Sequence, residues 1–125
     1  MSNRDICKSY SAEGAILPCR IVKVGAADYG VLQAAAVADK IIGVSMPLIT
    51  VASGDSVDVM HDGIGDLQLG GTVARGDFLT TDGSGNGVTA APAAGTNNQV
   101  VGKALVSGVS GDIIPVLLNI TMVQG

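Results

Sequence analysis

The chain has 125 residues, 47% of them hydrophobic but only 2% aromatic, with a formal net charge of −4. That length supports one domain with a modest core, and the lack of any Lys/Arg cluster excludes a nucleic-acid footprint. No apolar run reaches the length of a spanning helix, and the opening Met-Ser-Asn-Arg-Asp has no signal core, so a soluble chain made in the cytosol, with no membrane partner, is expected.

Residues 1–13 are mixed and polar, with no helix or strand period, and read as an extended N-terminal arm ahead of a single β-domain over 14–125. Within the arm, Arg4, Ile6, Lys8 and Tyr10 alternate with Asp5, Cys7 and Ser9, so an extended strand shows the two sets on opposite faces. Cys7 and Cys19 fit neither a zinc nor a redox spacing and read as structural thiols, with a disulfide as the minor alternative. The body begins at Ala15–Leu17, and Pro18 suits a strand start. Arg20–Val24 reads as a half-buried strand with Val22 and Val24 on one face. Ala34–Lys40 is predicted to form one helical turn, because alanine favours helix. Ile41–Val51, broken by Pro47, reads as two strand segments.

Ser56–Met60 alternates, with Val57 and Val59 inward and Ser56 and Asp58 outward. Asp62-Gly63 signals a turn, after which Asp66–Leu69 alternates again. Asp82–Gly87 separates two apolar segments and reads as a hairpin tip, since Gly and Asn tolerate positive φ. Residues 91–98 form a loop, and Val100–Val106 and Ile113–Ile120 close the fold, with Pro115 pointing to an edge. Strands recurring every ten to twelve residues, roughly, indicate an all-β sandwich or barrel. Eighteen glycines and three aromatics imply thin layers and close backbone approach. Such small side chains each remove little area from water, at about 25 cal/mol per Å², so an oligomeric interface is expected to supply part of the stability.

The chain also resembles itself. A shift of 57 lays Ile21–Val24 over Phe78–Thr81 and Gly30-Val31 over Gly87-Val88. Small loop adjustments bring Ile41–Gly43 onto Val100–Gly102 and Gly54–Val57 onto Gly111–Ile114. Two copies of one β-unit in a single pseudo-symmetric domain are therefore expected.

Nothing in the chain assembles a catalytic pattern. Arg75-Gly76-Asp77 is an integrin tripeptide used as a turn, and Asp82, Ser84 and Asn86 imitate half an EF-hand loop whose twelfth position is Ala93. His61, the single histidine, stands among Asp58, Asp62 and Asp66, which read as a solvated acidic turn. Gly83-Ser84-Gly85 is no nucleophile elbow, Gly102-Lys103-Ala104 is no phosphate loop, and the sequon Asn119-Ile120-Thr121 lacks a secretory context. The sequence thus predicts no enzyme, no metal and no cofactor.

Gly54–Val57, Val73–Leu79, Gly87–Ala90 and Val100–Ala104, followed by the closing Gly111-Asp112 and its apolar strand, resemble bacteriophage capsid decoration (cement) proteins over roughly residues 14–120. The resemblance implies a small β-barrel or β-tulip-like domain, a homotrimer, and residence on the outside of an icosahedral capsid. Such a protein would be assembled in the host cytoplasm and would bridge subunits of the major capsid protein. Arg4, Ile6, Lys8 and Tyr10 are then the candidate capsid-binding residues, adding a strand to a neighbouring subunit. The alternative is a trimeric β-domain that binds a small ligand or carries an inter-subunit active site built from Asp58, His61, Asp62 and Asp66.

Overall fold

The computed structural model describes residues 6–46, 49–92 and 94–124. It is all-β, with nine strands and no helix among the described residues: β1 Ile6–Ala12, β2 Ile21–Val24, β3 Gly30–Gln33, β4 Ile41–Ser45, β5 Ser56–Gln68, β6 Phe78–Thr81, β7 Gly87–Thr89, β8 Asn97–Ala104 and β9 Ile113–Gln124. The strand order is β1-β3-β2-β4-β5-β9-β8-β6-β7, and β1 also pairs with β5. That additional pairing closes β1, β3, β2, β4 and the first half of β5 into a five-stranded barrel. The second half of β5 then pairs with β9 and begins a second barrel with β8, β6 and β7, which the parallel bridge Leu69↔Gly87 closes.

The two barrels are repeats in register. Cys7↔Met60, Lys8↔Val59, Ser9↔Asp58, Tyr10↔Val57 and Ser11↔Ser56 recur 57 residues on as Ile64↔Leu117, Gly65↔Val116, Asp66↔Pro115, Leu67↔Ile114 and Gln68↔Ile113. The bridge Ile16↔Val51 recurs as Val73↔Gly108. Val22↔Gly43 recurs as Leu79↔Gly102, as the matched Ile41–Gly43 and Val100–Gly102 segments require. Gly54 and Gly111, at φ 92 and 91, make the same turn. One proposed match shifts by a residue: Val24↔Val31 corresponds to Thr81↔Gly87, so the counterpart of Gly87 is Val31 rather than Gly30.

Several expectations change. Residues 6–12 are not a free arm but the strand that closes the first barrel, along β5 on one side and β3 at Ser11 and Ala12 on the other. A strand whose inward residues fill a narrow barrel needs few apolar groups of its own, so composition hid it. Asp62-Gly63 does not turn the chain; Gly63 takes φ 101 and β5 runs through it from one barrel to the next. The Ala34–Lys40 segment is a turn instead of a helical one, because the Asp39 carboxylate accepts the amides of Ala35 and Ala36 at 2.8 and 2.9 Å. Pro115 lies between β5 and β8 rather than at an edge. Its carbonyl accepts from Leu105 just past the end of β8, so the missing N–H falls where the ladder stops. The predicted break at Pro47 lies outside the described residues.

The barrel interiors match position by position: Tyr10, Val22, Ile42, Val57 and Val59 in the first, Leu67, Leu79, Val101, Ile114 and Val116 in the second. Three positions differ together. Ala12, Val31 and Val51 become Leu69, Gly87 and Gly108, so one larger side chain takes the room of two lost ones. A Cβ on Gly108 would stand 2.8 Å from Leu69 Cδ1, and one on Gly87 would stand 3.5 Å from Leu69 Cδ2 and 2.6 Å from Leu67 Cδ2. Gly43 and Gly102 answer a backbone demand instead, since a Cβ there would strike the carbonyl oxygens of Met60 and Leu117.

This compensation is testable. Gly108→Val alone should cost about 1–3 kcal/mol by overpacking, and Leu69→Ala alone about 2–5 kcal/mol. The double variant, which restores the first barrel's pattern at this pair, should lose clearly less than the sum in a urea-denaturation cycle.

Candidate functional site

The Asp58/His61/Asp62/Asp66 group does not assemble. Strand alternation sends Asp58, Asp62 and Asp66 to the outer face of β5 and His61 to the inner one. There the His61 Nδ1 lies 2.7 Å from the Ile42 carbonyl oxygen, which only accepts, so in the neutral ring Nδ1 carries the hydrogen and Nε2 accepts from the Tyr10 hydroxyl at 2.6 Å. Both ring nitrogens are engaged in holding β1, β4 and β5 together. Asp58 accepts the Ser9 hydroxyl at 2.6 Å, and Asp62 accepts the Gly63 amide. Among the described residues no three His, Cys, Asp or Glu side chains converge as metal ligands.

The remaining polar motifs build turns. Gly76 of the Arg-Gly-Asp tripeptide sits at φ 90, and the Asp77 carboxylate accepts the Ala74 amide and the Thr89 hydroxyl. Its repeat counterpart is Cys19, held at φ 56 without the freedom of glycine. Burial raises the pKa of the half-buried Cys19 thiol, and Asp66 raises it further against the opposing pull of Arg20. Asp82 opens the β6–β7 hairpin tip by accepting the amides of Ser84 and Asn86. At the equivalent tip of the first barrel the carboxylate comes from the residue just past β1. Glu13 accepts the amides of Ala26 and Ala27 at 2.8 and 3.0 Å. Glycine stands where the other tip has its acid: Gly25 matches Asp82, and Gly70, which a Cβ would drive into Asp82, matches Glu13.

Of the candidate capsid-binding residues, Arg4 lies outside the described residues and Ile6 is placed only by its backbone pairing with Asp62. Lys8 is exposed, with its ammonium 5.2 Å from the centre of the Tyr29 ring. Tyr10 is half-buried against the first barrel's core, so Lys8 and Tyr10 share the inward face of β1 but differ in access.

Two further features escaped sequence reasoning, because both depend on how the barrels meet. A cavity of about 140 Å³ lies at their junction, lined by residues including Cys19, Val44, Met60, Ile64 and Asp66. It is smaller than the roughly 300–1,000 Å³ of ordinary ligand sites. The larger feature is an apolar outer face on the second barrel. Ile64, Leu117, Lys103 and Phe78 lie side by side across β5, β9, β8 and β6. Ile64, Leu117 and Phe78 are 53%, 45% and 42% exposed, and the Lys103 ammonium rests 5.1 Å from the centre of the Phe78 ring.

Fold and surfaces together define a class: a tandem of two small β-barrels sharing one strand, with turn chemistry at its loops. No protein-family model matches the chain, and no curated protein matches it in sequence. Among solved structures it is similar to the head fiber gp8.5 N base of bacteriophage phi29, with a TM-score of 0.67 and 17% identity over 98% of this chain and 100% of that one. At that identity the likeness is one of fold.

The Glu13 clasp has a definite pH signature. The amides of Ala26 and Ala27 lower the Glu13 pKa below the usual 4.5, against a small opposing effect of burial. A lowered folded-state pKa means the clasp is fully present above the usual value and is lost as pH falls through the lowered one. Hydrogen exchange should therefore show Ala26 and Ala27 protected at neutral pH, less protected in Glu13→Ala, and equal in both proteins only in strong acid.

Proposed function

We propose that this protein is a non-catalytic structural component of a bacteriophage virion that binds the outside of an icosahedral capsid as a homotrimer and bridges major capsid subunits. The observation that carries the reading is the full-length likeness of fold to the base of a phage head fiber. The loops add support, because their carboxylates accept backbone amides of tight turns. A shell component of this kind works by burying surface across subunit boundaries, and many copies add avidity without strong single contacts.

The contact is assigned to the β1 end of the first barrel. Lys8 is exposed there, and Arg4 and Ile6 precede it in sequence. Ile6–Ser11 pairs along β5 on one side, and the side chains of this segment are the groups assigned to meet the shell.

Co-sedimentation with expanded capsid shells tests this. The double variant Arg4→Glu/Lys8→Glu should bind shells at least tenfold more weakly, about 1.4 kcal/mol, with an unchanged melting temperature. Full binding by that variant would move the contact to the loops, and shells that never retain the wild-type protein would end the reading. Electron microscopy of decorated shells would locate the copies.

A further inference from the structure

The internal repeat says what belongs on the exposed face of the second barrel. Its residues Ile64, Leu117, Lys103 and Phe78 are the counterparts of Cys7, Met60, Val44 and Ile21 in the first barrel. There Met60, Val44 and Ile21 are sealed, at 6%, 1% and 0% exposed, within the core of the second barrel, while Cys7 is exposed. Three positions of one face are thus buried under a barrel of its own kind in the first barrel, while in the second the face is left open, apolar except for Lys103.

The covering element also has an idle counterpart. The second barrel grips the first through its β6–β7 tip: the Ile21 amide donates to the Gly85 carbonyl at 2.8 Å and Gln33 Nε2 to the Ser84 carbonyl at 2.8 Å. In the first barrel the equivalent tip is the β2–β3 loop, Gly25 to Tyr29, flanked by Val24. Val24 and Tyr29 are 44% and 69% exposed, and the loop is already shaped by the Glu13 clasp. The chain therefore carries an open socket on the second barrel and an unused plug on the first.

We propose that the Ile64/Leu117/Phe78 face binds the first barrel of a second copy of this chain, whose Val24–Tyr29 loop takes the position that the Asp82–Asn86 tip holds within one chain. Room exists for it. β5 leaves β4 after Met60 and crosses into the next barrel, whereas β9 stays beside β8 through Gln124, so the place of a following first strand is open to the incoming β1. The contact joins two different surfaces, so it is heterologous, and it either closes into a ring or grows. A ring of three would be the homotrimer proposed above. The inference stands on the repeat alone, whether or not the protein binds a capsid.

Complementation between two defective copies tests it. Leu117→Glu damages the socket, and Val24→Glu/Tyr29→Glu damages the plug; both change exposed side chains, and circular dichroism melts confirm folding. Phe78→Glu replaces Leu117→Glu if the latter lowers the melting temperature. In sedimentation velocity over a hundredfold concentration range, wild type should associate, and each variant alone should be monomeric, weakened at least tenfold. An equimolar mixture should regain association as a one-to-one pair, resolved by native mass spectrometry, because each variant keeps one intact half of the joint. A monomeric wild type would overturn the proposal, and the face would then be left for a different partner. Association of the plug variant at wild-type strength would overturn it in favour of face-to-face pairing. A mixture that stays monomeric would overturn it as well.

Discussion

Strand β5 belongs to two barrels at once, and the rest of the molecule follows from that sharing. Its first half closes one barrel and its second half opens the next, with Gly63 at φ 101 between them. Because the strand is continuous, the second barrel lies on the first and cannot separate from it without unpairing. The outer surface of β2 and β4 thereby becomes interior, and Ile21, Ile41, Val44 and Met60 join the core of the neighbouring barrel. Two small barrels with few aromatics gain from this arrangement, since apolar area that each would leave in water is removed at the joint.

The repeats keep one backbone while exchanging side chains in linked sets. Leu69 with Gly87 and Gly108 replaces Ala12 with Val31 and Val51, and Glu13 with Gly25 is exchanged for Gly70 with Asp82. In both sets the occupied volume or the carboxylate position is retained although its source in the chain moves. Tight packing explains the first, because a narrow barrel tolerates neither a void nor an extra methyl group. The second follows from the turn tips, whose amides need an acceptor wherever the carboxylate originates.

Function, on this reading, lies in surfaces rather than in a pocket. The side chains most suggestive of chemistry, His61 and its acidic neighbours, are divided by strand alternation, and His61, Asp58 and Asp62 are engaged in local bonds. Exposed apolar side chains include Val24 and Tyr29 at the β2–β3 loop of the first barrel and Phe78, Leu117 and Ile64 on the outer face of the second. A molecule with such surfaces is suited to assembly.

Periodicity by itself determined much here. The alternation of Val57 and Val59 with Ser56 and Asp58, the Asp82–Gly87 tip, and the repeat linking Gly54–Val57 to Gly111–Ile114 were all legible, because side-chain period and turn residues are local properties. Three things were decided only by tertiary structure. Residues 6–12 became a strand because barrel closure supplies the partners that their composition does not demand. Asp62-Gly63, a turn by its residues, stayed extended because both flanks were already paired in two different barrels. Ile21 and Val22, adjacent and so on opposite faces, are both fully buried because a second barrel covers what would otherwise be the outside. Alternation tells which residues share a face, but not what lies against it, and that depends on contacts far apart in the chain.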